Sequence, residues 1–272
     1  MTKRYVFIIS DGTGLTAESL ASSLLTQFEN IDFEKSTYPY IDTLYKAEAL
    51  MEKINTSHKE SGINPIIFMT LVNPDINAFI KQSNARVIDL FSTFLAPLEQ
   101  ELQTKSSYTV GRTHGMADTE SYNHRIEAVN YTLAHDDGIK IRGYEKADIV
   151  LIGVSRSGKT PSCLYMALQF GVLAANYPFT DDDLSDFRLP ESLRPYKHKL
   201  FGLTIDTERL QHIRAERRPN SQYASAEQCR LEISEVEAMY KKENIPYINS
   251  TRYSIEEIAT KIMTAAGIKR RL

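Results

Sequence analysis

The sequence has little cysteine, no surplus of positive charge and no long apolar run. Its two cysteines, Cys163 and Cys229, lie far apart and lack the spacing of metal ligands, which fits a reducing compartment and excludes a disulfide framework. The formal net charge of -3 over 272 residues provides no broad positive field, so we expect no nucleic acid partner. The six histidines show no paired ligand spacing, which argues against a structural zinc site.

The beginning of the sequence also lacks the pattern of an export signal. Only six apolar or small residues separate Arg4 from Asp11, which is shorter than the apolar stretch of a signal peptide. No uninterrupted apolar run approaches the length of a membrane-spanning helix. We therefore expect a cytoplasmic protein that has no membrane association.

What is present is an alternation of apolar runs and helical patterns, which restarts once along the chain. The first series has strand patterns at 5–9, 35–41, 65–72 and 86–90 and helical patterns at 16–28, 43–61, 75–83 and 92–103. The second has strand patterns at 148–152, 172–179, 199–205 and 246–249 and helical patterns at 161–170, 207–217, 225–243 and from Ser254. Such alternation predicts parallel sheets covered by helices.

The predicted fold class is therefore α/β, with an N-terminal open parallel-sheet domain and a C-terminal P-loop kinase-like domain. We predict domain limits of 1–104 and 148–272, joined by a loop and a helix over 105–147. The helix at 121–134 is predicted to be followed by a terminating segment at 135–138, where Gly138 suits the left-handed residue that closes a helix. Ser254 and Glu257 have the spacing of a capping box.

The strongest motif is a phosphate-binding loop made of Gly153, Val154, Ser155, Arg156, Ser157, Gly158, Lys159 and Thr160. It follows a buried strand pattern and precedes a helix, as the P-loop pattern requires. Glycines let backbone N–H groups converge on an anion, and the positive end of the helix dipole points to the same place. Lys159 would add a full charge, Thr160 would bind Mg²⁺, and Ser155 and Arg156 would supply further donors.

Acidic residues near this motif are candidates for the catalytic base and for binding of Mg²⁺. Asp206 ends the apolar run 200–205, where P-loop proteins keep an acidic group for magnesium. The alternative, that Asp206 caps the helix beginning at Thr207, is compatible with this role. Asp136 and Asp137 offer two more carboxylates beside His135, although a polar helix end explains them equally well.

Basic and polar residues elsewhere are candidates for contact with phosphate or with a substrate. Arg209, Arg214, Arg217 and Arg218 lie on or just after the helix 207–217; Arg217 and Arg218 are the best candidates, and a solvated helix face is the alternative.

A turn and a loop elsewhere in the sequence contain further candidates for contact with phosphate or with a ligand. Asp11 and Thr13 lie in a turn between a strand and a helix, where they could bind a ligand or cap the helix. Arg112, Thr113 and His114 lie in a predicted loop, where they could contact phosphate or form a plain polar turn.

Together these segments resemble the bacterial and plant pyruvate, phosphate dikinase regulatory protein family, and most closely its phosphoenolpyruvate synthase regulatory branch. The resemblance covers nearly the whole chain and is carried by SDGT at 10–13, RTHG at 112–115, YTLAHDDG at 131–138, GVSRSGKTP at 153–161, AANYPF at 174–179 and FGLTID at 201–206. The choice of the synthase branch relies on the C-terminal half, including 174–179 and Cys229-Arg230.

The resemblance implies an enzyme with two opposed activities. Members phosphorylate a threonine of the dikinase or the synthase with ADP as donor, and remove the phosphate with inorganic phosphate, which releases pyrophosphate. By this resemblance Lys159 would neutralise the bound phosphate, Thr160 would hold magnesium, and Asp206, Asp136 or Asp137 would accept the threonine proton. The synthase is the expected partner. The dikinase as target, a nucleotide sensor without phosphoryl transfer, and a homodimer are left open.

Overall fold

The computed structural model describes residues 2–107, 109, 119–180, 183 and 188–271 of the 272-residue chain. The chain divides into two compact units, Met1–Gly115 and Met116–Leu272. Each unit contains a four-stranded sheet, and all strand pairs are parallel. The predicted α/β fold class is confirmed. No helix in the described part of the chain is both long and apolar enough to cross a membrane.

The first unit has the strand order β2-β1-β3-β4. Its strands and helices are β1 (Thr2–Ser10), α1 (Leu15–Leu25), β2 (Ile31–Tyr38), α2 (Leu44–Ser61), β3 (Ile66–Thr70), α3 (Pro74–Ile80), β4 (Arg86–Asp89) and α4 (Leu90–Leu102). Phe7 and Ile9 of β1 belong to one buried cluster, and Val6 and Ile8 belong to another. The two-residue period of a strand thus supplies both faces of the sheet with apolar side chains.

The predicted strand at 35–41 is displaced, because β2 begins at Ile31 and ends at Tyr38. This strand is at the edge of the sheet and pairs only with β1. None of its residues is fully buried, so it lacks the apolar run by which a central strand is recognised. After it, Tyr40 has a φ of 56°, a left-handed conformation that does not continue a strand.

The second unit has the strand order β6-β5-β7-β8. Its strands and helices are α5 (Thr119–Ala134), β5 (Ile149–Gly153), α6 (Lys159–Phe170), β6 (Ala174–Pro178), β7 (Leu200–Thr204), α7 (Thr207–Arg217), α8 (Ala226–Lys242), β8 (Tyr247–Asn249) and α9 (Ile255–Ala266). Short 3₁₀ turns include Asp136–Gly138 and Gln222–Ala224. All five residues of β5 are buried, as expected for a central parallel strand.

Helix α5 packs against α6 and β6. The structure therefore groups with the second unit a helix that the sequence assigned to a connecting segment. The predicted end of this helix at Ala134 is confirmed. Gly138 is left-handed with a φ of 70°, as expected, but it ends the following 3₁₀ turn Asp136–Gly138 and does not close α5. The capping box of α9 is also confirmed, with both Ser254 and Glu257 making their reciprocal hydrogen bonds.

Candidate phosphate-binding site

The candidate loop leaves the carboxyl end of β5, the strand between β6 and β7. Gly153 ends this strand with a φ of 154°, and a Cβ atom here would overlap the carbonyl oxygen of Leu203 on β7. Gly158, with a φ of 95°, precedes α6, which begins at Lys159, two residues before the predicted start at 161. Both ends of the loop therefore require glycine for its positive φ, and Gly153 is also required because no Cβ atom fits beside Leu203.

The middle of the loop is held in an uncommon conformation. Arg156 has a φ of 76°, in the left-handed region that non-glycine residues rarely occupy. Its neighbours on both sides are bound: the Ser155 hydroxyl lies 3.0 Å from the Tyr223 hydroxyl, and the Ser157 carbonyl accepts from Ser250 Oγ at 2.9 Å. The Ser157 Oγ is buried and makes no hydrogen bond within the described residues.

Lys159 is buried inside the loop, with 4% of its surface exposed. Its Nζ donates to the Val154 carbonyl at 2.9 Å. Burial lowers the pKa of Lys159 to about 8, and the carboxylates of Asp137 and Asp136 act in the opposite direction. The loop therefore contains a cation whose neutral backbone partner is a weaker acceptor than a phosphate oxygen.

Thr160 lies next to a carboxylate and an amide from other segments. Its Oγ1 donates to Asp136 Oδ1 at 2.8 Å. Asn176 of β6 donates through Nδ2 to the same Asp136 oxygen, and Asn176 Oδ1 accepts from the Asp137 backbone N–H at 3.2 Å. The structure thus brings Asp136 to the threonine and fixes the turn that carries it.

A cavity of about 290 Å³ opens beside the loop. Its walls include six residues of the loop and the start of α6, together with Asp137, Ile213 and Arg217. Three side chains in this lining are cationic, Arg156, Lys159 and Arg217, and one is a carboxylate, Asp137. This charge distribution suits a small polyanion with one acid-base group beside it.

Asp206, like Asp136, does not line this cavity. It follows β7, the strand beside β5, and its Oδ1 accepts from Asn249 Nδ2 at 2.7 Å. It occupies the position before α7, but its side chain makes no capping hydrogen bond. The capping interpretation is therefore wrong, and the role of Asp206 in magnesium binding stays a prediction.

The four arginines of the 207–218 segment have different environments. Of the two predicted phosphate contacts, Arg217 lines the cavity and Arg218 does not. Arg209 is exposed, and Arg214 is fully buried. A solvated face therefore describes only part of this segment.

Candidates in the first half of the chain divide into described and undescribed residues. Asp11 is buried and accepts from the Val72 backbone N–H at 2.6 Å, so it holds the turn after β3. Neither Asp11 nor Thr13 caps α1, whose preceding residue is Gly14 with no side-chain cap; that interpretation is wrong. Arg112 and His114 lie outside the described residues.

Sequence reasoning did not select Asn176 as a site residue, and it named Arg214 only as a possible phosphate contact, not as a buried residue that donates to the loop. Asn176 had a usable signal, because it is a polar residue inside an apolar strand run, and such a residue needs a partner when buried. Arg214 had none. Its three neighbouring candidates are also arginines, and one sequence does not distinguish a buried arginine from a solvated one.

Comparison with known proteins adds the family to this geometry. Residues 6–263 match the family model described as Kinase/pyrophosphorylase. The chain belongs to this family. A "Putative phosphoenolpyruvate synthase regulatory protein" of Legionella pneumophila strain Corby is 68% identical over 270 residues, covering 99% of this chain and 100% of the relative.

Proteins of the same printed name from two further bacteria are similar over the same length. The Hahella chejuensis relative is 58% identical, with 99% of both chains covered. The Pseudomonas aeruginosa strain LESB58 relative is 57% identical, with 99% of this chain and 98% of the relative covered. The cavity at the loop is thus that of a kinase/pyrophosphorylase family member.

The side-chain oxygens of Thr160 and Asp136 would suit a Mg²⁺ ion that is shared with a substrate. They do not suit a metal ion that is enclosed by protein ligands alone. Among the described residues, no group of three or more His, Cys, Asp or Glu side chains could hold a metal ion. Mg²⁺ is commonly bound by only one or two protein oxygens together with substrate phosphates and water. The hydroxyl of Thr160 and the carboxylate of Asp136 form such a set.

Proposed function

We propose that this protein is a bifunctional regulatory enzyme that phosphorylates a threonine of phosphoenolpyruvate synthase with ADP and removes the phosphate with inorganic phosphate. The observation that carries the proposal is the cavity in which Lys159, Arg156 and Arg217 face a space for phosphate beside the Asp137 carboxylate. Family membership supports opposed kinase and pyrophosphorylase activities. The names of the relatives support the synthase as the target rather than the dikinase, and we place the reaction in the cytoplasm.

In the kinase direction, the threonine Oγ forms a bond to the β-phosphorus of ADP. The bond between that phosphorus and the bridging oxygen breaks, so AMP leaves. In the opposite direction, an oxygen of inorganic phosphate attacks the phosphorus on the threonine, the bond to Oγ breaks, and pyrophosphate leaves. Both reactions need a bound phosphate beside a phosphoryl group in transfer, so one anion site at the loop can serve both.

Lys159 supports this shared use of the loop. Its Nζ donates to the neutral Val154 carbonyl in a buried position. A phosphate oxygen within reach would provide a charged acceptor, and such hydrogen bonds are stronger than those between an ammonium and a carbonyl group. We therefore assign Lys159 to charge neutralisation of ADP in one direction and of inorganic phosphate in the other.

Asp136 and Thr160 are the residues that would hold Mg²⁺. When bound, the ion would neutralise charge on the phosphate oxygens. Asn176 donates to the same Asp136 oxygen as Thr160, and so keeps the carboxylate at the threonine. A contribution of Asp206 remains part of the proposal, because the residue follows the neighbouring strand β7.

Asp137 is the carboxylate that we assign as catalytic base. It lines the cavity, and its backbone N–H donates to Asn176. Asp136, by contrast, accepts two hydrogen bonds at Oδ1. The Asp137 carboxylate would take the proton of the threonine hydroxyl in the kinase direction and return it to the threonine oxygen in phosphorolysis.

Transfer of a labelled phosphoryl group tests the proposal. The protein is incubated with Mg²⁺, ADP labelled on its β-phosphate, and either phosphoenolpyruvate synthase or pyruvate, phosphate dikinase. We expect label on a threonine of the synthase, and labelled pyrophosphate after inorganic phosphate is added. Label on the dikinase alone would reassign the target. Binding of ADP without transfer to either protein would make the chain a nucleotide sensor and overturn the proposal.

A further inference from the structure

A buried ion pair lies behind the phosphate loop. Arg214 of α7 has none of its surface exposed. Its Nη2 lies 2.6 Å from Glu232 Oε2, and its Nη1 donates to Glu232 Oε1 at 2.9 Å. Glu232 belongs to α8 and is also buried, so the two helices are joined by a bidentate pair that is largely shielded from water.

The same guanidinium reaches the loop itself. Arg214 Nη2 donates to the Ser155 carbonyl at 3.3 Å, and Nη1 donates to the Tyr223 carbonyl at 3.1 Å. The guanidinium lies over the Tyr223 ring, 4.1 Å from its centroid. The hydroxyl of that ring lies 3.0 Å from Ser155 Oγ. Ser155 is therefore held at its main chain by Arg214 and at its side chain by Tyr223.

These contacts lie next to the least favourable backbone conformation of the loop. Arg156 has a φ of 76°, and such residues persist only where their surroundings fix them. Ser155 is fixed on one side by Arg214 and Tyr223, and Ser157 is fixed on the other by Ser250. Arg156, which lines the cavity, is thus held between two fixed neighbours.

Stability alone is a poor reason for this arrangement. Removing two charges from water is unfavourable, and replacing a buried ion pair by apolar residues is often neutral or stabilising. The Arg214 guanidinium donates hydrogen bonds to the Ser155 and Tyr223 carbonyls and to the Glu232 carboxylate at the same time. An apolar side chain at this position would make none of these hydrogen bonds.

The geometry points to Arg214 as a positioning residue, whose pair with Glu232 and contact with Tyr223 hold the Ser155–Arg156 part of the loop in the shape that receives phosphate. Arg217 lies one helical turn beyond Arg214 on α7 and lines the cavity, so the same anchor fixes the position of a second cation. The inference rests on the proposed phosphate site and deepens it. Arg214 itself is fully buried and does not line the cavity.

The test separates loop positioning from folding by measuring two quantities on the full chain. These are the thermal unfolding midpoint and the dissociation constants for ADP and for inorganic phosphate in the presence of Mg²⁺, by titration calorimetry. The informative variants are Tyr223→Phe and the double substitution of Arg214→Met with Glu232→Met. The first removes one hydroxyl, and the second removes both charges, so that neither is left buried alone.

We expect Tyr223→Phe to keep the midpoint and to weaken both ligands about 2- to 10-fold, the range that corresponds to one hydrogen bond. The double variant should keep a midpoint close to the parent value or above it and bind both ligands at least about tenfold more weakly, since it loses the donors to the Ser155 and Tyr223 carbonyls. A stability effect alone would not give this combination.

Two controls complete the experiment. Ile262→Ala creates a cavity in the buried cluster beneath α9, which contains no residue between Val154 and Gly158, and should lower the midpoint without changing either dissociation constant. Lys159→Ala should abolish binding. Parental affinity of both Tyr223→Phe and the double variant, with binding lost in Lys159→Ala, would overturn the positioning role and leave the phosphate site standing. Parental affinity of Lys159→Ala would overturn both.

Discussion

The hydroxyl of Thr160 donates to Oδ1 of Asp136 at 2.8 Å. The two residues are 24 positions apart, and each belongs to a different segment at the same edge of the sheet. Asn176 donates to the same carboxylate oxygen. This three-residue contact favours Asp136 over Asp206 as the acidic partner of the threonine.

The first prediction concerns the magnesium requirement. Asp136→Asn keeps the hydrogen-bonding shape but removes the charge, so the Mg²⁺ concentration for half-maximal transfer should rise at least about tenfold. Asp206→Asn is the comparison, and we expect a smaller rise because the Asp206 carboxylate accepts from Asn249, whereas the Asp136 carboxylate accepts from Thr160. Magnesium titrations of labelled transfer decide between them, and the reverse ranking would assign the ion to Asp206.

The second prediction concerns proton transfer. Asp137→Asn should lower the turnover number about 10²- to 10⁴-fold in both directions, because the same group accepts the threonine proton and later returns it. Single-turnover transfer and phosphorolysis measure the effect, and calorimetry should give an ADP affinity close to that of the parent protein. A loss that appears only in ADP affinity would remove the base role from Asp137.

The third prediction concerns the buried lysine. Lys159→Met removes the charge at similar volume, and both transfer and phosphorolysis should fall by at least about 10²-fold, as when one charge-stabilising donor is deleted. The thermal midpoint should not fall, since burial already disfavours the ammonium group and lowers the pKa of Lys159 to about 8. Arg218→Met, outside the cavity, is the control and should retain activity. Retention of either direction in Lys159→Met contradicts a shared site.

The fourth prediction compares the two glycines of the loop. Gly158→Ala introduces a left-handed alanine into open space and should lower the free energy of unfolding by about 1–2 kcal/mol. Gly153→Ala adds an overlap with the Leu203 carbonyl oxygen, which should cost about 1–3 kcal/mol more. Urea unfolding curves measure both variants, and equal losses would show that β5 and β7 do not approach as closely as described.

The fifth prediction concerns the pH dependence of stability in the first unit. Glu99 of α4 accepts from the Ser106 backbone N–H at 2.8 Å and pairs with Lys105 at 3.0 Å. These contacts lower the pKa of Glu99 from 4.5 to about 2. The pKa of Glu99 is lower in the folded state than in the unfolded state, so the ionised carboxylate stabilises the fold at pH values above the unfolded-state pKa. This contribution disappears as the pH falls through the folded-state pKa.

The matching variant is Glu99→Gln. The difference in hydrogen-exchange protection of α4 between the parent and Glu99→Gln should be constant above about pH 5 and should shrink as the pH approaches 2. Glu101→Gln, on the same helix, is the control and should change protection little at any pH. A difference for Glu99→Gln that is independent of pH would contradict the assignment.

The sequence by itself determined the parts that depend on local pattern. A five-residue buried strand, two glycines and a lysine-threonine pair identified the loop at 153–160, since hydrophobic periodicity and backbone conformation are local properties. The same reasoning located most helices and the capping box of α9. It was weakest at β2, where an edge strand carries no continuous apolar run.

Only the tertiary structure decided which distant side chains meet the loop. Asp136, Asp137 and Asp206 are chemically equivalent in sequence, and parallel topology brought the first to Thr160 and the second to the cavity while leaving the third beside Asn249. Four arginines within ten residues divided into one buried, one at the cavity and two outside it. Burial and partnership depend on contacts across many residues, and no local pattern contains them.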